Sequence, residues 1–153
     1  MKRLLKWLTI ALALAFVLIQ FAPTGKTNPT IDQTRTLAAH VEVSPEVNAI
    51  LQRSCMDCHS NATHWPWYAH VAPVSWYLTG DVTDARRHLN FDDWSRLNLK
   101  EADFMLGDIC KTAKFGSMPL SSYTLIHRSA KLSAQDVGVI CSWSNEQRQK
   151  LGR

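Results

Sequence analysis

Apolar residues recur with the spacing of an α-helix in the stretch that precedes the first cysteine. Ser44 can cap a helix over residues 45–54, and Pro45 suits its first turn. One face of this stretch is apolar and carries Val47, Ile50 and Leu51. The helix would therefore pack on a core and place Cys55 at its carboxyl-terminal end.

The same pattern predicts further helices along the body of the chain. A helix over residues 72–91 is expected to be broken or weakened near Gly80, because glycine is a poor helix former. Two more helices follow, with Asp92 or Asp93 as the cap of the first and Gly116 at the end of the second. No segment alternates between apolar and polar residues as a half-buried strand does. The pattern predicts an all-α body with long loops at 60–74 and 116–132.

The amino terminus carries a different pattern, a mainly apolar run over residues 7–22. As a helix it would reach about 24 Å, slightly less than a typical hydrocarbon core. Three cations precede it: Lys2, Arg3 and Lys6. We expect residues 1–22 to form an uncleaved transmembrane signal anchor, with a removed signal peptide as the alternative, since both features direct export.

The predicted organisation has three parts. The anchor is followed by a tether over residues 23–44, which is rich in Pro, Gly, Thr and Asn, and by one helical domain over residues 45–153. The domain would face the periplasm from the bacterial inner membrane, or would lie free in the periplasm if the segment is cleaved.

Charge excludes one class of partner. The chain has a formal net charge of +4, but the Lys and Arg residues beyond the amino-terminal run nearly balance the Asp and Glu residues. A nucleic-acid-binding domain presents a basic face. The body shows no Lys or Arg cluster that would form one, so we expect no nucleic-acid partner.

The most specific chemical signal is the stretch Cys55–His59, which reads CMDCH. It fits C-x-x-C-H, the attachment sequence of c-type haem. Two thiols spaced this way can add across the two vinyl groups along one haem edge, and the adjacent His59 can bind the iron. The motif predicts one covalent haem c, held by Cys55, Cys58 and His59.

Three other interpretations of the cysteine pair are open. A thioredoxin-like redox pair belongs near a βαβ pattern, and none is visible. A structural zinc site needs a second pair of ligands at short spacing, whereas Cys110 and Cys141 are far apart in the sequence. The third is a plain disulfide between Cys55 and Cys58. Haem is favoured because the segment is exported, helical and rich in aromatic residues.

A second axial ligand is predicted at Met118, on a loop between a helix end and a proline. A thioether is a soft ligand that suits the iron of an electron-transfer haem and raises its potential. Gly116 permits a sharp turn there, and Pro119 stiffens the loop. The weaker alternatives are histidines, namely His64, His70, His88 and His127.

The loop after the motif is expected to pack around the haem. Aromatic faces exclude water from the macrocycle, and indole or phenol groups can donate to propionates. The residues predicted for this role are Trp65, Trp67, Tyr68, Pro73 and Trp76. The carbonyl of Pro73, or equally of Pro66, could accept the second N–H of His59.

The remaining two cysteines, Cys110 and Cys141, are predicted to form a disulfide. Cys110 lies near the end of its helix, and Cys141 lies near the start of the last helix, which Ser133 caps. If these helices are antiparallel neighbours, the two cysteines fall at the same height, and an oxidising compartment favours the bond. Two buried thiols are the alternative.

Several motifs occur together in a familiar combination. The stretches CMDCHSNATHWPWYAHVAPVSWYL, HLNFDDW, GSMPLSSYTLIHRSAKLS and ICSW resemble the bacterial haem-binding domain family of exported mono-haem c-type proteins. The resemblance covers about residues 18–145. It implies Cys55 and Cys58 as attachment residues, His59 as an axial ligand and Met118 as the second. The pair Cys110 and Cys141 is not part of the family pattern as we know it.

Taken together, the sequence predicts a small cytochrome c-like helical domain around one haem. With both axial positions filled, it would transfer single electrons between other redox proteins of the cell envelope. We expect neither a small-molecule substrate nor enzymatic activity. The alternatives are a peroxidase-like protein with an open sixth position, assisted by His70 or Trp65, and a haem-based sensor module.

Overall fold

A computed structural model describes residues 1–152, and within them the protein is all-α. The predicted fold class is confirmed at this level. The helices are α1 (Lys2–Ile19), α2 (Leu37–His40), α3 (Pro45–Ser54), α4 (Met56–His59), α5 (Val74–His88), α6 (Leu99–Phe115), α7 (Ser121–Ile126) and α8 (Ala134–Leu151), and short 3₁₀ helices lie at Trp67–His70, Phe91–Arg96 and Arg128–Ala130.

The core lies where α3, α6 and α8 meet. Its fully buried side chains include Leu51, Phe91, Leu106 and Ile140. Helices α6 and α8 pack along each other, and a disulfide joins Cys110 on α6 to Cys141 on α8, with their Cα atoms 4.6 Å apart. The predicted disulfide is therefore present, and it closes a loop that contains Met118.

Side-chain caps fix where three helices begin. The Ser44 hydroxyl accepts the backbone N–H of Val47, as predicted for α3. Ser133 caps α8, also as predicted, and forms a reciprocal capping box with Asp136. The cap of α6 is Asn98, which accepts two backbone N–H groups. The 3₁₀ helix before it, Phe91–Arg96, begins at Asn90, whose side chain accepts the backbone N–H of Asp92. The predicted cap of that helix, Asp92 or Asp93, is therefore corrected to Asn90, since a local pattern cannot choose among several residues able to cap.

Two other local predictions differ from the structure. Helix α5 runs unbroken through Gly80, because the burial of Thr79 and Val82 on the same helix offsets the modest helix propensity of glycine. The long loops are also not wholly irregular. The first contains the 3₁₀ helix Trp67–His70, and the second contains α7.

The segment over residues 23–44, predicted as an extended tether, packs against the body. Leu37 and Val41 are buried in the core. The Arg86 guanidinium donates to the carbonyl of Thr27, at 2.8 Å, and to the carbonyl of Ser60 beside the cysteine motif, at 2.7 Å. Apolar side chains spaced along this stretch let it fold onto the domain rather than stand away from it.

Helix α1 has no buried residue, and its large apolar side chains point outward around its circumference. At its end, the Gln20 amide bonds both backbone groups of Ala72, accepting from the nitrogen at 2.9 Å and donating to the oxygen at 3.2 Å. Among residues 1–152, no helix has the length and apolar character needed to cross a membrane. The predicted transmembrane helix over residues 1–22 is not supported.

Candidate functional site

One apolar cavity brings together the residues that the sequence singled out. Its volume is about 390 Å³, and it lies between α5, α6 and the segment that carries the cysteine motif. Cys55, Cys58, His59 and Met118 all line it. The apolar part of the lining includes Leu89, Phe91, Ile109, Leu120, Leu132 and Ile140.

The cysteine motif sits at a break between two helices. Helix α3 ends at Ser54, and Cys55 leaves helical geometry before the short helix α4 begins. The backbone N–H groups of Cys58 and His59 both donate to the Cys55 carbonyl, at 3.2 and 3.0 Å. This compact turn holds all three side chains of the motif at the same cavity.

Both motif cysteines are free thiols in the structure. Burial raises the pKa of Cys55 to about 12, and burial, helped by the charge of Asp57, raises that of Cys58 to about 11. Buried neutral thiols are poor nucleophiles. The pair therefore differs from the low-pKa, exposed cysteines of thiol redox enzymes.

The imidazole of His59 is oriented by the backbone. Its Nδ1 lies 2.9 Å from the carbonyl oxygen of Leu89, to which an Nδ1–H donates. Burial lowers the pKa of His59, which favours the neutral ring. The carbonyl predicted for this contact, that of Pro73 or Pro66, is corrected to Leu89. The Nε2 atom is left as the ring's available lone pair.

The loop of Met118 is tied to the end of α6. Gly116 ends the helix with a φ of 67°, a left-handed conformation that favours glycine. The backbone N–H groups of Ser117 and Met118 then donate to the Thr112 carbonyl, at 3.1 and 3.3 Å. Met118 lines the cavity while 37% of its surface stays exposed. The turn at Gly116 therefore brings Met118 to the wall of the cavity.

The other histidines have partners of their own or lie at the surface. The His127 ring stacks on Tyr123 with centroids 4.4 Å apart, and its Nε2 lies 2.5 Å from the Tyr68 hydroxyl. His88 lines the cavity but pairs with Asp108 at 3.2 Å. His70 lies beside Lys26, and His64 is exposed. These contacts leave His59 as the imidazole whose Nε2 is free at the cavity.

The five residues predicted to pack on the haem are not among those that line the cavity. Trp67 is 78% exposed, and Trp76 and Pro73 are exposed as well. The Trp65 indole donates to the Asn28 side chain at 3.1 Å, and Tyr68 contacts His127. The segment carrying them folds against residues 20–28 instead, and the cavity lining includes aliphatic residues of α6, α8 and the Met118 loop.

Some residues of the site were not foreseen from the sequence. Tyr123 lines the cavity, and its hydroxyl donates to the Asp57 carboxylate at 2.5 Å. Asp81, Asp84 and Asp108 lie on the cavity wall, and burial, followed by the charge of Asp84, raises the pKa of Asp81. Leu89 contributes through a carbonyl, which every residue carries. For Tyr123 a signal existed, since it follows Met118 closely in the stretch GSMPLSSY.

The donor set fits a c-type haem. Two free thiols can form thioethers, a backbone-oriented imidazole and a thioether side chain can bind iron, and the lining that joins them is mainly apolar. Within the described part of the chain, no group of three or more His, Cys, Asp and Glu side chains could hold a metal ion. The three residues of the attachment motif and Met118 line one cavity.

A comparison with known families agrees with this site. The model of a family described as a haem-binding domain matches residues 14–146, which is most of the chain and includes the whole cavity. No curated protein and no solved structure matches the chain. The chain belongs to the haem-binding domain family.

Proposed function

We propose that the protein is a mono-haem c-type cytochrome that transfers single electrons. The observation that carries the proposal is the meeting of Cys55, Cys58, His59 and Met118 at one apolar cavity. Haem, when bound, supplies the redox chemistry, because its iron takes up or releases one electron. The chain supplies attachment, orientation and exclusion of water.

Each residue has a distinct role in this proposal. Cys55 and Cys58 would hold the haem covalently through their thiols. Leu89 fixes the proton of His59 on Nδ1, so that Nε2 is the atom presented to the iron. Met118 would hold the iron through its thioether sulfur. Apolar residues around them favour the less charged, reduced state.

We also propose that the body lies on the periplasmic side of the bacterial inner membrane, with α1 in contact with lipid. The disulfide between Cys110 and Cys141 suits an oxidising compartment. Helix α1 exposes apolar side chains on all sides, and Lys2, Arg3 and Lys6 lie at its start. The partners of the protein would be other redox proteins of the envelope. The protein itself would have no small-molecule substrate and no enzymatic activity.

The proposal is tested by isolating the full chain from cells that attach haem c and recording its pyridine haemochrome and redox spectra. We expect one haem c per chain and a low-spin ferric spectrum with the weak far-red band of a methionine–iron bond. Cys55→Ser/Cys58→Ser should be colourless after denaturation and extraction. Cys110→Ser/Cys141→Ser, which also removes two sulfurs, should keep its haem. A colourless wild type with alkylatable Cys55 and Cys58 would disprove the proposal.

The same spectra separate the alternative functions. A high-spin ferric spectrum without the far-red band would favour a peroxidase-like protein with an open sixth position. Displacement of Met118 by carbon monoxide in the reduced protein would favour a sensor. Location is tested separately in two assays. In cell fractionation the intact chain should sediment with the membranes, and protease added to spheroplasts should cleave the body.

A further inference from the structure

One hydrogen bond joins the two segments that carry the cavity's proposed haem ligands. Asp57 lies inside the attachment motif, between Cys55 and Cys58. Tyr123 lies on α7, which directly follows the Met118 loop. The Tyr123 hydroxyl donates to the Asp57 carboxylate at 2.5 Å, although the two residues are 66 positions apart in the chain.

The contact is well placed to act on the site. Tyr123 lines the cavity itself. Burial, followed by the hydrogen bond to Asp57, raises the pKa of the Tyr123 hydroxyl, so it remains a neutral donor. Hydrogen bonds to a carboxylate are about twice as strong as those between neutral groups.

The tyrosine is also held from its other side. Its ring stacks on His127, with an interplanar angle of 17°, and His127 is in turn paired with the Tyr68 hydroxyl. Tyr68 belongs to the 3₁₀ helix that precedes α5. Two other segments therefore hold this phenol, the attachment motif directly through Asp57 and the 3₁₀ helix of Tyr68 through His127.

The Met118 segment has no comparable contact with the attachment motif. Its backbone bonds run back to Thr112 on α6, and the Met118 side chain is more than a third exposed. A thioether on a partly exposed loop is held near the iron only as firmly as the loop is. The hydrogen bond from Tyr123 to Asp57 is the direct polar link from the far end of that loop to the motif.

We propose that Tyr123 is a positioning residue, whose hydrogen bond to Asp57 holds the Met118 loop closed over the haem and keeps the thioether on the iron. The inference rests on the proposed function and names the element that sets the strength of the sixth ligand. Tyr123 does not bind the iron. It limits how often the loop opens, and an open loop is what leaves the sixth position free.

The test measures how easily an added ligand replaces Met118. Imidazole binds ferric haem only when the methionine is off the iron, so its apparent affinity rises in proportion to the open fraction. In the purified holoprotein, Tyr123→Phe is expected to bind imidazole about tenfold more tightly than the wild type, a change of about 1.4 kcal/mol. The reduction potential should also fall, because the methionine bond that raises it is weakened.

Two controls separate positioning from general loss of structure. Tyr77→Phe removes the hydroxyl of a tyrosine that is 64% exposed and is expected to leave imidazole affinity unchanged. Ser133→Ala weakens the cap of α8 at a distance from this contact, so it should lower stability to urea without changing imidazole affinity.

A second variant pair tests the partner. Asp57→Asn keeps an oxygen that can accept from Tyr123, and we expect a smaller increase in imidazole affinity than for Asp57→Ala. Combining Tyr123→Phe with Asp57→Ala should add little to either single change, since both remove the same bond. Additive effects would overturn the inference.

The remaining outcomes are also decisive. If Tyr123→Phe binds imidazole as the wild type does, the hydrogen bond does not hold the loop, and the inference is wrong while the cytochrome proposal stands. If the wild type carries covalent haem but lacks the far-red band, both the axial role of Met118 and this inference fail. If no haem c is found by the pyridine assay, the proposed function itself fails.

Discussion

The attachment motif and the Met118 loop meet at the same cavity but are built differently. The motif is a turn between two helices, and the His59 ring is half-buried and bonded to a backbone carbonyl. Met118 follows a glycine turn on a loop and stays partly exposed. The His59 ring is held by a carbonyl 30 positions away as well as by its own turn, whereas the backbone bonds of the Met118 loop run only to Thr112 at the end of α6. Under the proposed function, we expect His59 to be the ligand that is harder to displace and Met118 the one that is easier to displace.

The largest effect should follow a change on the His59 side. We expect His59→Ala to lose the low-spin ferrous spectrum completely, because no other imidazole has a free Nε2 at the cavity in the described part of the chain. Visible spectra of the reduced protein provide the measurement. His64→Ala, a change at an exposed histidine, is the control and should retain the wild-type spectrum. A normal spectrum in His59→Ala would show that a residue other than His59 binds the iron.

A change on the loop side should be milder. Met118→Ala is expected to keep covalent haem and to lose the far-red band, and its reduction potential should fall by on the order of 0.1 V, within the roughly 0.8 V range that axial ligands control. Redox titration measures the fall. Met105, which packs partly buried against the core, supplies the matched change, and Met105→Ala should leave the band in place. An unchanged potential in Met118→Ala would remove Met118 from the iron.

The disulfide should contribute mainly to global stability. It links residues 31 positions apart and encloses the Met118 loop. Cys110→Ser/Cys141→Ser is expected to lower the free energy of unfolding by about 3–4 kcal/mol, since the unfolded chain gains freedom. Urea unfolding followed by circular dichroism measures it. Wild-type protein treated with a reducing agent should behave like the variant, and a loss of less than about 1 kcal/mol would contradict the chain-entropy account.

The helix caps should give smaller and similar losses on the two sides. Ser44 caps α3, which leads into the motif, and Ser133 caps α8, which the disulfide joins to α6. Each serine-to-alanine change is expected to cost about 1 kcal/mol in urea unfolding. The double variant should lose the sum, because the two caps share no partner. A clearly non-additive result would mean that the two sides are coupled through the core.

The smallest effect should appear as a dependence on pH. Bonds from Ser133, first its backbone N–H and then its hydroxyl, and the nearby Arg53 lower the pKa of Asp136. Its folded pKa lies below its unfolded value of about 3.9, so its contribution is complete above that value and is lost as the pH falls through the folded pKa. As the pH falls through this range, we expect the free energy of unfolding of Asp136→Asn to decrease less than that of the wild type. Identical acid profiles would show that the cap does not titrate.

The sequence predicted best where the physics is local. The spacing of Cys55, Cys58 and His59 fixes a turn within five residues, and the caps Ser44 and Ser133 act on their own first turn. The disulfide followed from the heights of two cysteines on antiparallel helices. In each case, neighbours in the chain or a simple helix geometry decide the outcome.

Predictions failed where tertiary contacts decide. The aromatic residues around Trp67 have a composition suited to a haem pocket, but only the fold shows that they face residues 20–28 or solvent. The carbonyl of Leu89 could not be chosen from sequence, because its partner His59 lies 30 positions away and any residue could provide the same group. The packing of Leu37 and Val41 into the core likewise depends on surfaces formed by later parts of the chain.

The paired hydrogen bonds between Gln20 and Ala72 have a mechanical consequence. An amide that both donates to and accepts from a single residue resists twisting as well as stretching. The pair of bonds restrains the orientation of the end of α1 relative to the globular part, so a surface that held the helix would also influence the direction in which the cavity faces. Other molecules would then reach the cavity from a restricted set of directions, because the globular part would not rotate freely about the end of α1.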